Sequence, residues 1–217
     1  MKRFFCAWLA ALLVLSVGGA ALAEAEFDFS GLTLEQLYEV RARLDEAIAA
    51  QERLGGAPVY AAGTYVIGRD MPEGDYVLVE NADAMFASVE VRSGEGGDSS
   101  LVFLKLISGQ VVVRLGRDTC MVLSEAQAYP LAAAPTLDPT AGPVPEGAYL
   151  VGSQLPAGRY TAAVTERAPL SSYSVYDGIL GTDGRLVKFE VLHENTVLEL
   201  RDGEYIELSG CTLAAEE

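Results

Sequence analysis

The alternation of apolar and polar positions changes character twice along this chain. Residues 4–23 form an apolar run with scarcely a polar break, preceded by Lys2 and Arg3. Residues 33–53 then place Leu34, Leu37, Leu44 and Ile48 on one helical stripe, with Val40 and Ala47 beside it. After Gly55-Gly56 the period falls to two. Residues 65–67, 76–80, 87–92, 101–107, 111–115 and 120–124 read as short strands, and 172–176, 186–192, 196–200 and 205–209 repeat the pattern. Strands at roughly 8–12-residue spacing indicate a sandwich or jelly-roll-like barrel.

The first segment has the marks of a signal peptide. A basic n-region precedes a short apolar core at 8–17, and Ala21-Leu22-Ala23 supplies the small-x-small pattern of a cleavage site. Cleavage is therefore expected after Ala23, with export to the extracellular or cell-envelope space. A retained anchor would need about 20 apolar residues, whereas this run is rich in Ala and Gly and ends at the cleavage pattern. Cys6 lies too early to carry a lipid at that site. No stable membrane insertion is expected after cleavage.

The second segment, within 24–56, reads as one amphipathic helix. Thr33 and Gln36 are spaced as a capping box, Glu35 suits the N-terminal dipole, and Glu39 and Arg43 sit four apart. Twenty residues at about 1.5 Å each span roughly 30 Å. The stripe needs a partner: a β module of the same chain, a second copy of helix 33–53 in self-association, or another exported protein.

The β region is a duplication. Residues 63–76 and 147–160 match at an offset of 84, with Gly63/Gly147, Tyr65/Tyr149, Gly68/Gly152, Pro72/Pro156, Gly74/Gly158 and Tyr76/Tyr160 identical. The match continues through Ser88/Ser172 and Val91/Val175. After one inserted residue the offset is 85, as in Leu101-Val102 with Leu186-Val187 and Leu106-Ile107 with Val191-Leu192. Two β modules follow, at 57–132 and 147–217. The proline-rich stretch 133–146, with Pro135, Pro139, Pro143 and Pro145, reads as a semi-rigid linker between two separate cores. The expected fold is mainly β: two tandem small β-sandwich, jelly-roll-like modules behind one amphipathic helix.

The twelve shared Gly, Pro and Tyr residues could form a sugar-stacking platform, but fold-making accounts for them better. Gly68, Gly74, Gly152 and Gly158 permit conformations a Cβ forbids, Pro72 and Pro156 preset a turn, and the four tyrosines suit half-buried strand positions. Binding is then sought where the copies differ. The loop 94–100 is flexible and acidic, and its counterpart 177–184 carries an exposed-looking Ile179-Leu180 pair. Neither has the ligand spacing of a calcium loop, so Ca²⁺ stays a minor alternative to a plain hairpin connection.

Composition removes several function classes. The formal charge of −16 becomes more negative by two when Lys2 and Arg3 leave, which disfavours nucleic acid and anionic lipid. His193 is the only histidine, so no histidine-based metal cluster can be built, and no nucleophile elbow, P-loop or dinucleotide fingerprint is present. A triad through His193 has no local support. A glycosidase-type carboxylate pair has no sequence signature, and small modules leave little room for its cleft. No catalytic residue, metal site or cofactor is expected. Cys120 and Cys211 remain after export. They admit one disulfide or two buried thiols, and they do not match in the repeat.

Phe29-Ser30-Gly31-Leu32-Thr33-Leu34-Glu35-Gln36-Leu37, followed by two stretches of the form Gly-x-Tyr-x-x-Gly-x-x-x-Pro-x-Gly-x-Tyr, resembles a group of exported bacterial proteins of unknown function. In that group a short "SGMSLDELxxLR" helix precedes modules opening "GxYxVGxDIPAGxY". The resemblance covers nearly all of the chain beyond the signal peptide. Met71 and Glu73 depart from the pattern in the first copy, Gln154 and Leu155 in the second. The resemblance implies export and architecture and brings no functional residue. The functional expectation is a non-catalytic binding module for an extracellular or cell-envelope ligand, with a self-assembling surface protein as the alternative.

Overall fold

A computed structural model describes residues 31–53, 55–94, 99–165 and 168–216. The expected signal peptide lies outside them, as do Phe29, Ser30 and residues 95–98 of the acidic loop. The chain divides into two units, 1–61 and 62–217. In the first, helix α1 (Leu34–Arg53) begins as the capping box requires. The Gln36 N–H donates to Thr33 Oγ1 at 3.3 Å, and the Thr33 N–H donates to Gln36 Oε1 at 2.9 Å. Leu34, Leu44 and Ile48 of the apolar stripe are exposed. No helix among the described residues is long and apolar enough to cross a membrane.

The second unit is mainly β. Module 1 contains β1 (Gly63–Val66), β2 (Gly74–Glu80), β3 (Ser88–Ser93), β4 (Ser100–Leu106), β5 (Gln110–Leu115), β6 (Thr119–Ser124) and β7 (Ala126–Pro130). Module 2 repeats them as β8 (Gly147–Leu150), β9 (Gly158–Val164), β10 (Ser171–Tyr176), β11 (Leu186–Leu192), β12 (Thr196–Leu200), β13 (Tyr205–Ser209) and β14 (Cys211–Ala215). Four antiparallel sheets result. The first is β1-β6-β3-β4 and the second β5-β2-β7; the third is β8-β13-β10-β11 and the fourth β12-β9-β14. Each module is thus a sandwich of four strands on three.

Strand alternation sorts the side chains. Tyr76, Leu78, Val89, Val91, Met121 and Leu123 point between the first two sheets and are buried. Tyr149, Val151, Tyr160, Tyr173, Ile206, Leu208 and Leu213 share the core of module 2. Burying each such aliphatic contributes about 1.5–3 kcal/mol.

Strands β7 and β14 were not expected. Each follows its predecessor after a single residue with positive φ, Glu125 at 52° and Gly210 at 61°, which turns the chain from one sheet to the other. No glycine-proline cluster announces either corner.

Each module keeps its own core, but the expectation of little mutual packing is corrected. Val77 and Val112 point away from the core of module 1, yet both are fully buried. The third sheet covers them. Gln110 Nε2 donates to the Ala148 carbonyl at 3.1 Å, Ser108 Oγ donates to Glu146 Oε1 at 2.9 Å, and Lys105 pairs with Glu207. The Ile179-Leu180 pair is not an exposed patch. Ile179 is buried, and Leu180 bridges to Val113 and accepts the Arg114 N–H at 2.7 Å. The proline-rich stretch is no free spacer either. Leu137 donates to the Gln154 carbonyl at 2.8 Å, and the buried Val144 exchanges two backbone hydrogen bonds with Leu213.

Candidate functional site

The shared motif builds one turn twice. In module 1 the Gly68 N–H donates to the Met71 carbonyl at 2.7 Å, and in module 2 the Gly152 N–H donates to Leu155 at the same distance. Both glycines have positive φ, +97° and +87°, a region that side chains other than glycine rarely enter. Tyr76 Oη donates to the Pro72 carbonyl at 2.8 Å and Tyr160 Oη to the Pro156 carbonyl at 2.6 Å. Each proline and tyrosine therefore closes a single loop, with Gly74 or Gly158 lying under the ring. Tyr149 Oη donates to the Pro145 carbonyl at 2.9 Å, and burial pushes its phenol far above the usual range. Gly63 and Gly147 lie against the rings of Tyr65 and Tyr149. Tyr76, Tyr149 and Tyr160 are buried, so these three rings offer no platform to solvent, while Tyr65 is half-buried.

Asp70 and Gln154 show how the copies diverge inside a common frame. The Val66 N–H donates to Asp70 Oδ2 at 2.8 Å, and the Leu150 N–H donates to Gln154 Oε1 at 3.3 Å. Arg69, followed by that backbone donor, holds the Asp70 carboxyl below the usual carboxylate range.

Chemistry-bearing side chains do not converge. Among the described residues no three His, Cys, Asp or Glu are grouped to hold a metal. His193 is exposed in the β11–β12 turn. Cys120 and Cys211 are free thiols; Cys211 is a buried core filler that donates to the Ser172 carbonyl, and burial pushes its thiol up. Tyr173 donates to Glu190 Oε2 at 2.7 Å, and Lys188 lies 5.0 Å from its ring centroid. Tyr173 and Lys188 together hold the Glu190 carboxyl below its usual range. The trio ties edge strand β11 to β10. An open groove is lined by Pro156, Arg159 and Glu216.

The surface feature that stands out is apolar. Edge strands β4 and β11 expose the same residues at the same repeat positions. Leu101 and Leu186 are 53% and 55% exposed, and Val102 and Val187 are 51% and 58%. In both strands the register shifts at this point, against Val91/Arg92 and Val175/Tyr176, so each bulge turns its apolar pair outward. Leu104, Leu106 and Phe189 extend these ledges. Near the Leu106 end, Glu125 accepts the N–H groups of Met85 at 2.7 Å and Phe86 at 2.9 Å, and those bonds hold its carboxyl below the usual range. Met85 and Phe86 are thereby fixed with their side chains in solvent. Sequence reasoning noted Leu101-Val102 and Leu186-Val187 only as repeat matches and passed over Met85, Phe86, Leu104 and Phe189, although 101–106 reads Leu-Val-Phe-Leu-Lys-Leu. That strand is apolar on both faces, which was a signal that more than one face meets a partner.

No known family model matches the chain, and no curated protein matches it. Among solved structures it is similar to the crystal structure of PBSX exported protein XepA, at 11% identity over 70% of this chain and 79% of that one, with a TM-score of 0.19. So distant a likeness carries no argument.

Proposed function

We propose that this is a secreted, non-catalytic tandem β-module protein that binds an extracellular or cell-envelope ligand along the edges of β4 and β11. The observation behind this reading is the repetition of exposed Leu-Val at 101–102 and 186–187. A duplication retains core residues for packing. Exposed apolar residues retained at matching places have no such reason, and they favour association. Two equivalent ledges on one chain would also strengthen binding to a repetitive ligand through effective concentration.

The test is binding of wild type, Leu101→Ser, Leu186→Ser and the double variant to a glycan array and to isolated peptidoglycan. Each single change should weaken binding at least tenfold, and the double change should abolish it. Silence of the wild type on both supports ends the reading. N-terminal sequencing of the exported form should begin at Glu24, and an intact Met1 would refute export by cleavage.

The exposed stripe of α1 favours a second reading, assembly through the helix. Deleting residues 24–56 should then lower the sedimentation coefficient by more than the lost mass explains.

A further inference from the structure

The outer faces of the four sheets are not equivalent. The outer face of the second sheet lies on that of the third, which leaves the first and fourth open. The fourth ends the stack with a more polar surface, on which Val197 is the one large apolar residue exposed among the described residues. Thr161 stands where Val77 does, Ala214 where Tyr129 does, and Glu199 where Arg114 does. The first is different. Its outward positions include Val66, Val122, Leu104 and Leu106, three of them exposed large apolar residues. A terminal repeat normally carries a polar outer face; this one does not.

We propose that the outer face of the first sheet docks a second copy of this chain through the same face, giving a two-fold dimer. The internal contact supplies the pattern. The third sheet, its repeat counterpart, already receives another sheet on this side, and the charges within that contact are paired off: Arg114 with Asp75 at 2.6 Å, Lys105 with Glu207. On the first sheet the outward charges are Glu90 and Arg92, and these pair with each other. Within a chain of formal charge −16 this face is neutral, so a second copy meets no net repulsion across it. The fourth sheet cannot take the place of the second copy's first sheet. The internal contact brings the Gly109 backbone so close that a Cβ there would lie 2.4 Å from the Glu146 carbonyl oxygen, and the fourth sheet's matching hairpin carries Glu194. A face-to-itself contact closes at two.

Four strands about 4.8 Å apart and about six residues long cover roughly 19 by 20 Å, or roughly 400 Å² per copy. Fixed at the Leu106 end, Met85 and Phe86 enlarge that footprint. The total stays near the lower bound of about 1,000 Å² for a specific interface, so the dimer is weak and depends on concentration.

Sedimentation velocity of the purified protein up to about 1 mM chain tests this. Wild type should move from monomer to dimer and grow no further. Leu104→Glu and Leu104→Lys, at an exposed site that leaves thermal unfolding unchanged, should each need at least tenfold more protein to dimerise. An equimolar mixture of the two should dimerise as wild type does or better, because the opposed faces now attract. Leu44→Glu in the helix should change nothing. A wild type that is monomeric at about 1 mM, growth beyond a dimer, variants that sediment as wild type, a mixture that stays monomeric, or loss of the dimer in Leu44→Glu would each overturn the proposal. Ligand binding by the edge strands is read separately, through Leu186→Ser on β11 below the dimerising concentration, because Leu186 lies outside the first sheet whereas Leu101, paired with Arg92, lies on it; either reading can then fail alone.

Discussion

Val112 and Val197 occupy the same place in two copies of one module, yet Val112 is 0% exposed and Val197 is 44% exposed. Nothing local separates them. Each lies in the middle of an edge strand, paired to the second strand of its module with the same register. What differs is the neighbour. Module 2 lies over Val112, and no described residue covers Val197. The substitutions follow the neighbour: most inward positions stay apolar in both copies, as in Tyr76/Tyr160, Val91/Val175 and Leu123/Leu208, whereas Val77 and Tyr129 give way to Thr161 and Ala214 where the stack ends. A duplicated module therefore keeps its interior and alters its surface according to what covers it.

The comparison breaks most sharply at the contact itself. Gly109→Ala should cost about 2–4 kcal/mol, because the new Cβ meets the Glu146 carbonyl and φ is +69°. In a unit of this size that lowers the melting temperature by roughly 5–15 °C in calorimetry. Gly203→Ala, in the β12–β13 turn of module 2, has a similar φ of +84° with open space around it, and should cost only about 1 kcal/mol of backbone strain.

Exchanging the residues that differ sharpens the point. Val77→Thr buries a hydroxyl between the modules and should cost about 1–3 kcal/mol, while the reverse change Thr161→Val should stay within about 0.5 kcal/mol. Equal effects in chemical denaturation would mean that the two faces are equally covered.

A smaller effect separates the copies by pH. Asp70 and Glu125 belong to module 1, and their counterparts Gln154 and Gly210 do not titrate. Both carboxyls are held low in the folded state by donors they lose on unfolding. The unfolded chain thus binds protons first as pH drops. The stabilisation is present in full above the ordinary carboxylate range and fades as pH falls through the lowered folded values. Melting temperature against pH should decline less steeply below about pH 4.5 in the Asp70→Asn, Glu125→Gln double variant than in wild type. Parallel curves would show that these bonds do not discriminate the folded state.

The smallest effect is expected at Tyr205. Its hydroxyl is buried facing the Val112 backbone, in a geometry that makes no well-formed hydrogen bond with the described residues, and burial pushes the phenol far up. Tyr205→Phe removes a polar atom that gains nothing there, so unfolding free energy should shift by less than about 1 kcal/mol, in the stabilising direction if at all.

Much of this was legible in the residues. Thr33 and Gln36 announced the helix start, because a capping box is a contact between near neighbours in sequence. Gly68, Pro72, Gly74 and Tyr76, with their copies, announced the turn for the same reason: its hydrogen bonds span three or four residues. Strands β7 and β14 were not legible, since a one-residue corner at Glu125 is chosen by the two sheets it joins and not by turn chemistry. The candidate ledges were half legible. Leu101-Val102 and Leu186-Val187 were recognised as repeated, but repetition alone suggested core, and exposure depends on which strand lies at a sheet edge.

By itself, then, the chain's sequence determined that one module occurs twice behind a capped helix, and which residues form each module's turn, because those features rest on short-range spacing and alternation. Only the tertiary structure decided that the second and third sheets cover each other, that Ile179 is interior, and that Leu104 and Val122 are left in water. Those outcomes depend on contacts between residues up to about a hundred positions apart, such as Lys105 with Glu207, and alternation along a strand names its two faces without saying what will cover either.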